Sequence, residues 1–346
     1  MNFLARKRQA APFMTLEGVV GPNQRLDQAD AVSVQSPDTL CPLHDGRLLL
    51  SSGRQVLALN AWGGEPEFWA AFAAPVTALA QSPGGRVAVG LGAGGLAVLD
   101  ADGRPVAGWS HPIGQLASVI DLVFRTDDEL ILVDCGRSDT DDLLSAAAWD
   151  DEARGQVVSL RHSGELRVIL PGLHYPMGVC LDAKGGLLVS LLERAAIVDE
   201  TGRVLQAGYP GYAGRLRRHR DGYVLACLSR RDPLVEFLKS EPAFVAEMKA
   251  TIAPRHWIGP RLDAAFSHDL PIELGATRLY GEVKPWAPSF SYGLLVTLDD
   301  ALMPTGSAQS RADGRRHAIG DVASWGGSLL ATSRASGEIL KIGDDL

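Results

Sequence analysis

The chain has 346 residues, 46% of them hydrophobic and 21% charged, with a formal net charge of −8. An acidic chain whose arginines cluster in one short run excludes an extended nucleic-acid face, which needs a broad basic surface. No run of eighteen apolar residues offers a membrane span, and 38 Gly with 20 Pro announce a soluble globular chain built on tight turns.

Taken from its start, MNFLARKRQAAPFM lacks the apolar stretch of a secretory signal. A repeat then begins: a few small or polar residues, a short apolar stretch, a turn, and a second apolar stretch. It reads PDTLCPLHDGRLLLSSG (37–53), PVTALAQSPGGRVAVGLG (75–92), VIDLVFRTDDELILVDC (119–135), PMGVCLDAKGGLLVSLL (176–192), AGRLRRHRDGYVLACLS (213–229) and AIGDVASWGGSLLATSR (318–334). The turn pairs DG, GG, DD, GG, DG and GG suit hairpins, most of them supplying the positive φ that two-residue turns require. Most copies are followed by a further strand and turn, such as RQVLALN or AAIVDETG. Short strands at this spacing predict an all-β repeat fold, and six copies of a unit of about four strands predict one six-bladed β-propeller domain over residues 1–346.

Two segments interrupt the rhythm. SDTDDLLSAAAWDDEARG (138–155) reads as a short acidic helix with a solvated surface. Residues 230–290 form a long insertion whose first part spaces Leu234, Val235, Leu238, Phe244, Val245 and Met248 helically, with Pro233 and Pro242 suited to the first turns of two helices. Its aromatic residues Trp257, Tyr280 and Trp286 suit either a lid over a ligand or an appendage packed on the blades. GLGAGG (90–95) lacks the Lys-Ser/Thr of a phosphate loop and reads as a hairpin turn. The four cysteines, Cys41, Cys135, Cys180 and Cys227, have no metal spacing and sit in or beside apolar strands, which points to a reducing, cytoplasmic setting. In RLRRHRD (215–221), Arg217, Arg218 and Arg220 read as a solvated turn, whereas Arg215 starts an apolar strand and must aim its charge at something.

These lines, in this order and spacing, resemble the strictosidine-synthase-like branch of the six-bladed propellers, related to gluconolactonases and paraoxonases. SPDTLCPLHDGRLLLSSG resembles that family's GPE…DG line, GLHYPMGVCLDAKGGLLVS its PNGV line, and PGYAGRLRRHRDGYVLACLS its PGYPDNI…DGGYW line, with a helical insertion after it. The resemblance implies a site at the top of the central channel, where hydrolytic members hold calcium with acidic and amide side chains. On those matched positions this chain carries Asp38, Ile120 beside Asp121, Met177, and Gly214–Arg215. Calcium needs six to eight hard oxygen ligands, so the replacements disfavour it and leave no cofactor expected. Arg215 is expected to point into the channel, either paired with Asp38 and Asp121 in place of the ion or binding a substrate anion.

The expected function is that of a metal-independent small-molecule enzyme resembling strictosidine synthase. In it Arg215, Asp38, Asp121, Met177, Trp257, Tyr280 and Trp286 contact substrate, and Asp321 or His174 acts as acid or base. The alternatives are a calcium-dependent lactone or ester hydrolase and a non-catalytic ligand-binding or scaffold propeller. The expected partner is a small molecule, with no nucleic acid; the oligomeric state stays open.

Overall fold

In the computed structural model the described residues are 15–109, 114–138, 143–254, 257–262, 278–279, 282–283, 291–343 and 346. Six antiparallel sheets form the six blades of a β-propeller. Blade 1 holds Leu40–Pro42, Leu48–Ser52, Gln55–Leu59 and Glu67–Ala71, and blade 2 holds Val76–Gln81, Val87–Leu91 and Gly95–Leu99. Blade 3 holds Asp121–Thr126, Glu129–Asp134, Gly155–Arg161 and Leu166–Leu173, and blade 4 holds Pro176–Leu181, Leu187–Leu191, Ala196–Asp199 and Val204–Ala207. Blade 5 holds Gly211–His219, Gly222–Arg230, Gly293–Leu298 and Pro304–Ser310. Blade 6 combines Ile319–Trp325, Ser328–Ser333 and Glu338–Ile342 with Asp30–Ser33 from the start of the chain, paired Asp30 to Lys341 and Ser33 to Glu338. That exchange closes the ring. Each of the six sequence repeats supplies the two innermost strands of one blade.

The apolar pattern explains why the blades stack. Central strands such as Val87–Leu91 and Leu187–Leu191 are buried along nearly their whole length, because both faces of each sheet meet a neighbouring blade. One buried cluster fills each gap: Leu49, Val56, Leu79 and Val89 between blades 1 and 2, and Ala323, Leu330, Leu40 and Leu50 between blades 6 and 1. The other four gaps are filled in the same way. The GLGAGG turn is a hairpin within blade 2; Gly94 has φ +73°, and a Cβ there would meet the Leu116 carbonyl at 2.2 Å. The four cysteines are free and buried, as small apolar side chains.

A helical layer sits on one side of the propeller. Helix α1, Arg25–Gln28, belongs to the N-terminal segment, and α2 spans Leu143–Trp149. Helices α3, Pro233–Lys239, and α4, Pro242–Thr251, both begin on proline as the sequence implied, and the Asp232 carboxylate caps α3 by accepting from the Leu234 N–H at 2.8 Å. The solvated surface expected of the 138–155 segment does not materialise at α2: Leu143, Leu144, Ala147, Ala148 and Trp149 are all buried. One side of α2 joins Ile120, Tyr175, Met177 and Leu228 of the blades, and the other joins Val235 and Met248 of α3 and α4. Its acidic flanks misrepresented an apolar helix that fills a gap between two layers. Among the described residues no helix is long and apolar enough to cross a membrane.

Candidate functional site

The innermost strands bring six chain segments to one axis, and their irregularities aim particular groups at it. In four of them an extra residue interrupts the ladder near the strand start: at Thr77, at Met177, within Gly214–Arg215 and within Gly320–Asp321. Such bulges rotate backbone and side chains out of the regular pleat. Gly178, beside one of them, is required by close approach: a Cβ would lie 2.8 Å from the Arg215 Cα.

Arg215 occupies the meeting point, with its side chain only 5% exposed. Its Nη1 donates to Asp38 Oδ1 at 3.0 Å, to the Asp38 carbonyl at 3.1 Å and to the Gly320 carbonyl at 2.8 Å. Its Nη2 donates to the Thr77 and Ile120 carbonyls and to Asp38 Oδ2 at 3.3 Å. Blades 1, 2, 3 and 6 therefore each turn at least one oxygen onto a single guanidinium. Burial alone would favour loss of its proton, but the carboxylates of Asp38, Asp321 and Asp121 outweigh this and raise its pKa.

A second cation lies beneath. Arg217 is two residues further along the same strand and so on the same face, roughly 6–7 Å deeper. It grips Asp121 with both terminal nitrogens, at 2.7 and 2.8 Å, and reaches Asp321 through Nε at 3.0 Å. Asp121 and Asp321 are fully buried. Asp121 also accepts from the Val179 N–H, and Asp321 from the Thr39 hydroxyl and the N–H groups of Leu40 and Val322. The solvated turn expected for Arg217 is thus corrected, whereas Arg218, exposed over the Tyr223 ring, and Arg220, exposed in the turn that follows the strand, are on the surface as expected. The available signal was alternation, since a residue two after an inward-facing Arg215 faces inward as well.

Above Arg215 lies a cavity of about 470 Å³. Its floor and polar side come from Asp38, Thr77, Arg215, Gly320 and Arg334, and its apolar side from Ile120, Leu143, Met177, Leu228 and Leu262. Asp38 is the only carboxylate among the described lining residues. It remains 18% exposed, and Arg334 approaches its Oδ1 through Nε at 3.9 Å. Burial raises the Asp38 pKa, but the guanidinium groups of Arg215 and Arg334 lower it more, leaving it below its ordinary 3.8.

The residues expected from the sequence are distributed as follows. Asp38, Met177 and Arg215 line this cavity. Asp121 and Asp321 do not; they lie below the floor, closed off and fully partnered. His174 is in a different cavity, of about 620 Å³, against α3. There its Nε2 meets the Asp150 carbonyl at 2.6 Å and its Nδ1 stands 3.7 Å from the Glu193 carboxylate. Trp257 packs in the apolar cluster of α3 and α4, donating to the Ile252 carbonyl at 2.8 Å. Tyr280 and Trp286 lie outside the described residues. Sequence reasoning passed over Arg334, whose placement just after the Ser328–Ser333 strand was its only signal, and Leu143, hidden in the segment read as solvated.

No family model matches the chain, and no curated protein sequence matches it. Solved structures do. A gluconolactonase from Xanthomonas campestris superposes with a TM-score of 0.54 at 13% identity, over 92% of this chain and 91% of that one. The chain shares the six-bladed propeller fold of that structure. The calcium-binding protein regucalcin from Agrobacterium tumefaciens matches with a TM-score of 0.54 at 11% identity, over 90% and 91% of the two chains. A luciferin-regenerating enzyme matches with a TM-score of 0.56 at 10% identity, over 91% and 96%. At such identities the likeness establishes the six-bladed architecture, and these structures do not carry the finer resemblance to strictosidine synthase.

Proposed function

We propose that the chain is a small-molecule hydrolase of the lactonase type, acting in the channel-mouth cavity with Arg215 as a protein-borne cation. The observation that carries this reading is Asp38: a carboxylate at the cavity floor, held between Arg215 and Arg334. Held that way it is ionised at neutral pH and is the group placed to take a proton from an attacking water. The water adds to the lactone carbonyl carbon, the ring C–O bond breaks, and the proton passes by way of Asp38 to the departing ring oxygen. The product is the hydroxy acid. A carboxylate with a lowered pKa is a weak base, which suits an activated ring ester better than an amide.

The residues present do not fit a calcium ion, although the similar regucalcin structure is that of a calcium-binding protein. The Thr77, Ile120 and Gly320 carbonyls and the Asp38 carboxylate already accept from Arg215, and Met177 contributes no hard oxygen. No step is therefore assigned to a metal. The amine–aldehyde condensation implied by strictosidine synthase has less support, because Asp321, its expected base, is fully buried and bonded to Arg217, Thr39 and two backbone amides. A binding-only propeller is favoured by one observation, the engagement of both terminal nitrogens of Arg215 by the protein itself.

The test is hydrolysis of a lactone panel in the presence of EDTA. Asp38→Asn is expected to lower kcat/KM by about 10²-fold or more, with Arg215 retained. Because the folded pKa of Asp38 lies below its unfolded value, both its base form and its contribution to stability are present above about pH 4. Both are lost as the pH falls through the folded value. The acid limb of kcat/KM therefore belongs below pH 4. Turnover that survives Asp38→Asn, or an acid limb near neutrality, contradicts this assignment.

A further inference from the structure

The cavity is two-sided, and its polar side carries one cation that the described residues do not saturate. Arg215 is surrounded by oxygens, whereas the Arg334 side chain has a single partner among the described residues, Asp38 at 3.9 Å through Nε. Neither terminal nitrogen of Arg334 has a hydrogen-bond partner there, and the side chain lines the cavity while 35% exposed. The opposite wall is made of Ile120, Leu143, Met177, Leu228 and Leu262, whose side chains carry C–H and thioether groups only.

We infer that the cavity selects small molecules with an apolar body and a carboxylate, and that Arg334 is the residue that receives the carboxylate. The inference deepens the lactonase reading by naming its substrate class. A guanidinium with two free terminal nitrogens presents parallel N–H donors that match the two oxygens of a planar carboxylate. An apolar body leaves water against the five-residue wall without stranding a polar group. A polyhydroxylated sugar lactone does the opposite: its hydroxyls lose water there and gain nothing, a loss of the kind that hydrogen-bonding sites exploit to reject ligands. The carbonyls that might have met such hydroxyls, those of Thr77, Ile120 and Gly320, are already engaged by Arg215. The volume of about 470 Å³ is in the range of small-molecule sites. Leu143 ties selectivity to the helical layer, since α2 supplies part of the wall.

The experiment is equilibrium binding by calorimetry, in EDTA, of three probes: 3-phenylpropionate, 3-phenylpropanol and gluconate. The first has body and anion, the second the body alone, and the third the anion on a polyol. 3-Phenylpropionate is expected to bind at least about tenfold tighter than either of the others. Arg334→Met should bring 3-phenylpropionate down to the level of 3-phenylpropanol, and Arg334→Lys should retain part of the preference. Unchanged thermal unfolding of both variants is the folding control, and Leu143→Asn gives a second route by weakening both phenyl probes without changing their ratio. Equal binding of the two phenyl probes, equal or tighter binding of gluconate, or no binding of 3-phenylpropionate overturns the inference. The two readings fail separately. Probe binding without turnover of any lactone sinks the hydrolase, and turnover of a sugar lactone without binding of 3-phenylpropionate sinks the substrate class.

Discussion

Arg217→Met should destabilise the protein by about 3–5 kcal/mol, the usual cost of removing one partner of a buried ion pair. Arg217 is the cation that holds Asp121 and Asp321 together across three blades, and both acids are fully buried. Without it, Asp121 keeps the Val179 N–H and a distant contact with Arg215 Nε, at 3.8 Å. Asp321 keeps the Thr39 hydroxyl and two amides. Dipoles and the more distant Arg215 guanidinium are then all that face two buried carboxylates. The loss is a large fraction of a typical stability of about 5–15 kcal/mol. Urea unfolding should show a lower midpoint with an unchanged slope, since the folded core keeps its area. Arg218→Met is the control: that side chain is exposed over Tyr223 and should cost no more than about 1 kcal/mol. Equal costs for the two arginines would mean that the lower ion cluster contributes nothing, and combining Arg217→Met with Asp121→Asn and Asp321→Asn should recover part of the loss.

Arg215→Asn should make the stability of the protein respond to calcium. The substitution removes the guanidinium and leaves the Thr77, Ile120 and Gly320 carbonyls and the Asp38 carboxylate facing one another, with an amide oxygen added. In EDTA that arrangement is strained by mutually repelling oxygens, so the variant should be several kcal/mol less stable than the parent. Calcium at a hundredfold excess over its dissociation constant should restore about 2.7 kcal/mol. Arg215→Met should suffer the same loss without the rescue, because it supplies no oxygen. Calcium-dependent recovery of both variants would place the ion elsewhere, and recovery of neither would mean that the oxygens do not converge on a cation-sized site.

The blades were legible from the sequence because their signal is local. Each repeat carries a turn pair between two apolar strands, and those strands are the two innermost of a blade. The convergence of Asp38, Met177 and Arg215 was legible as well, through the family resemblance, which matched those positions to a site at the top of the channel. What stayed hidden depends on contacts between distant segments. Asp121 and Asp321 start or nearly start their strands, as a site residue would, yet the Arg217 side chain draws both below the floor. His174 precedes an innermost strand, but its ring lies in the cavity against α3 rather than in the channel-mouth cavity. The 138–155 segment is acidic only at its flanks, and the apolar LLSAAAW between them is buried because two apolar layers meet it. Arg334 carries no local pattern; its importance comes from lacking, among the described residues, the array of partners that Arg215 has.

At the channel mouth, the proposed cation is the Arg215 side chain. Thermal unfolding of the unaltered protein, with added calcium and with EDTA, tests this assignment most directly when paired with elemental analysis of the purified sample. One melting temperature under both conditions and no stoichiometric metal are expected. A melting temperature that rises with calcium and falls with EDTA, together with one bound calcium per chain, would contradict it.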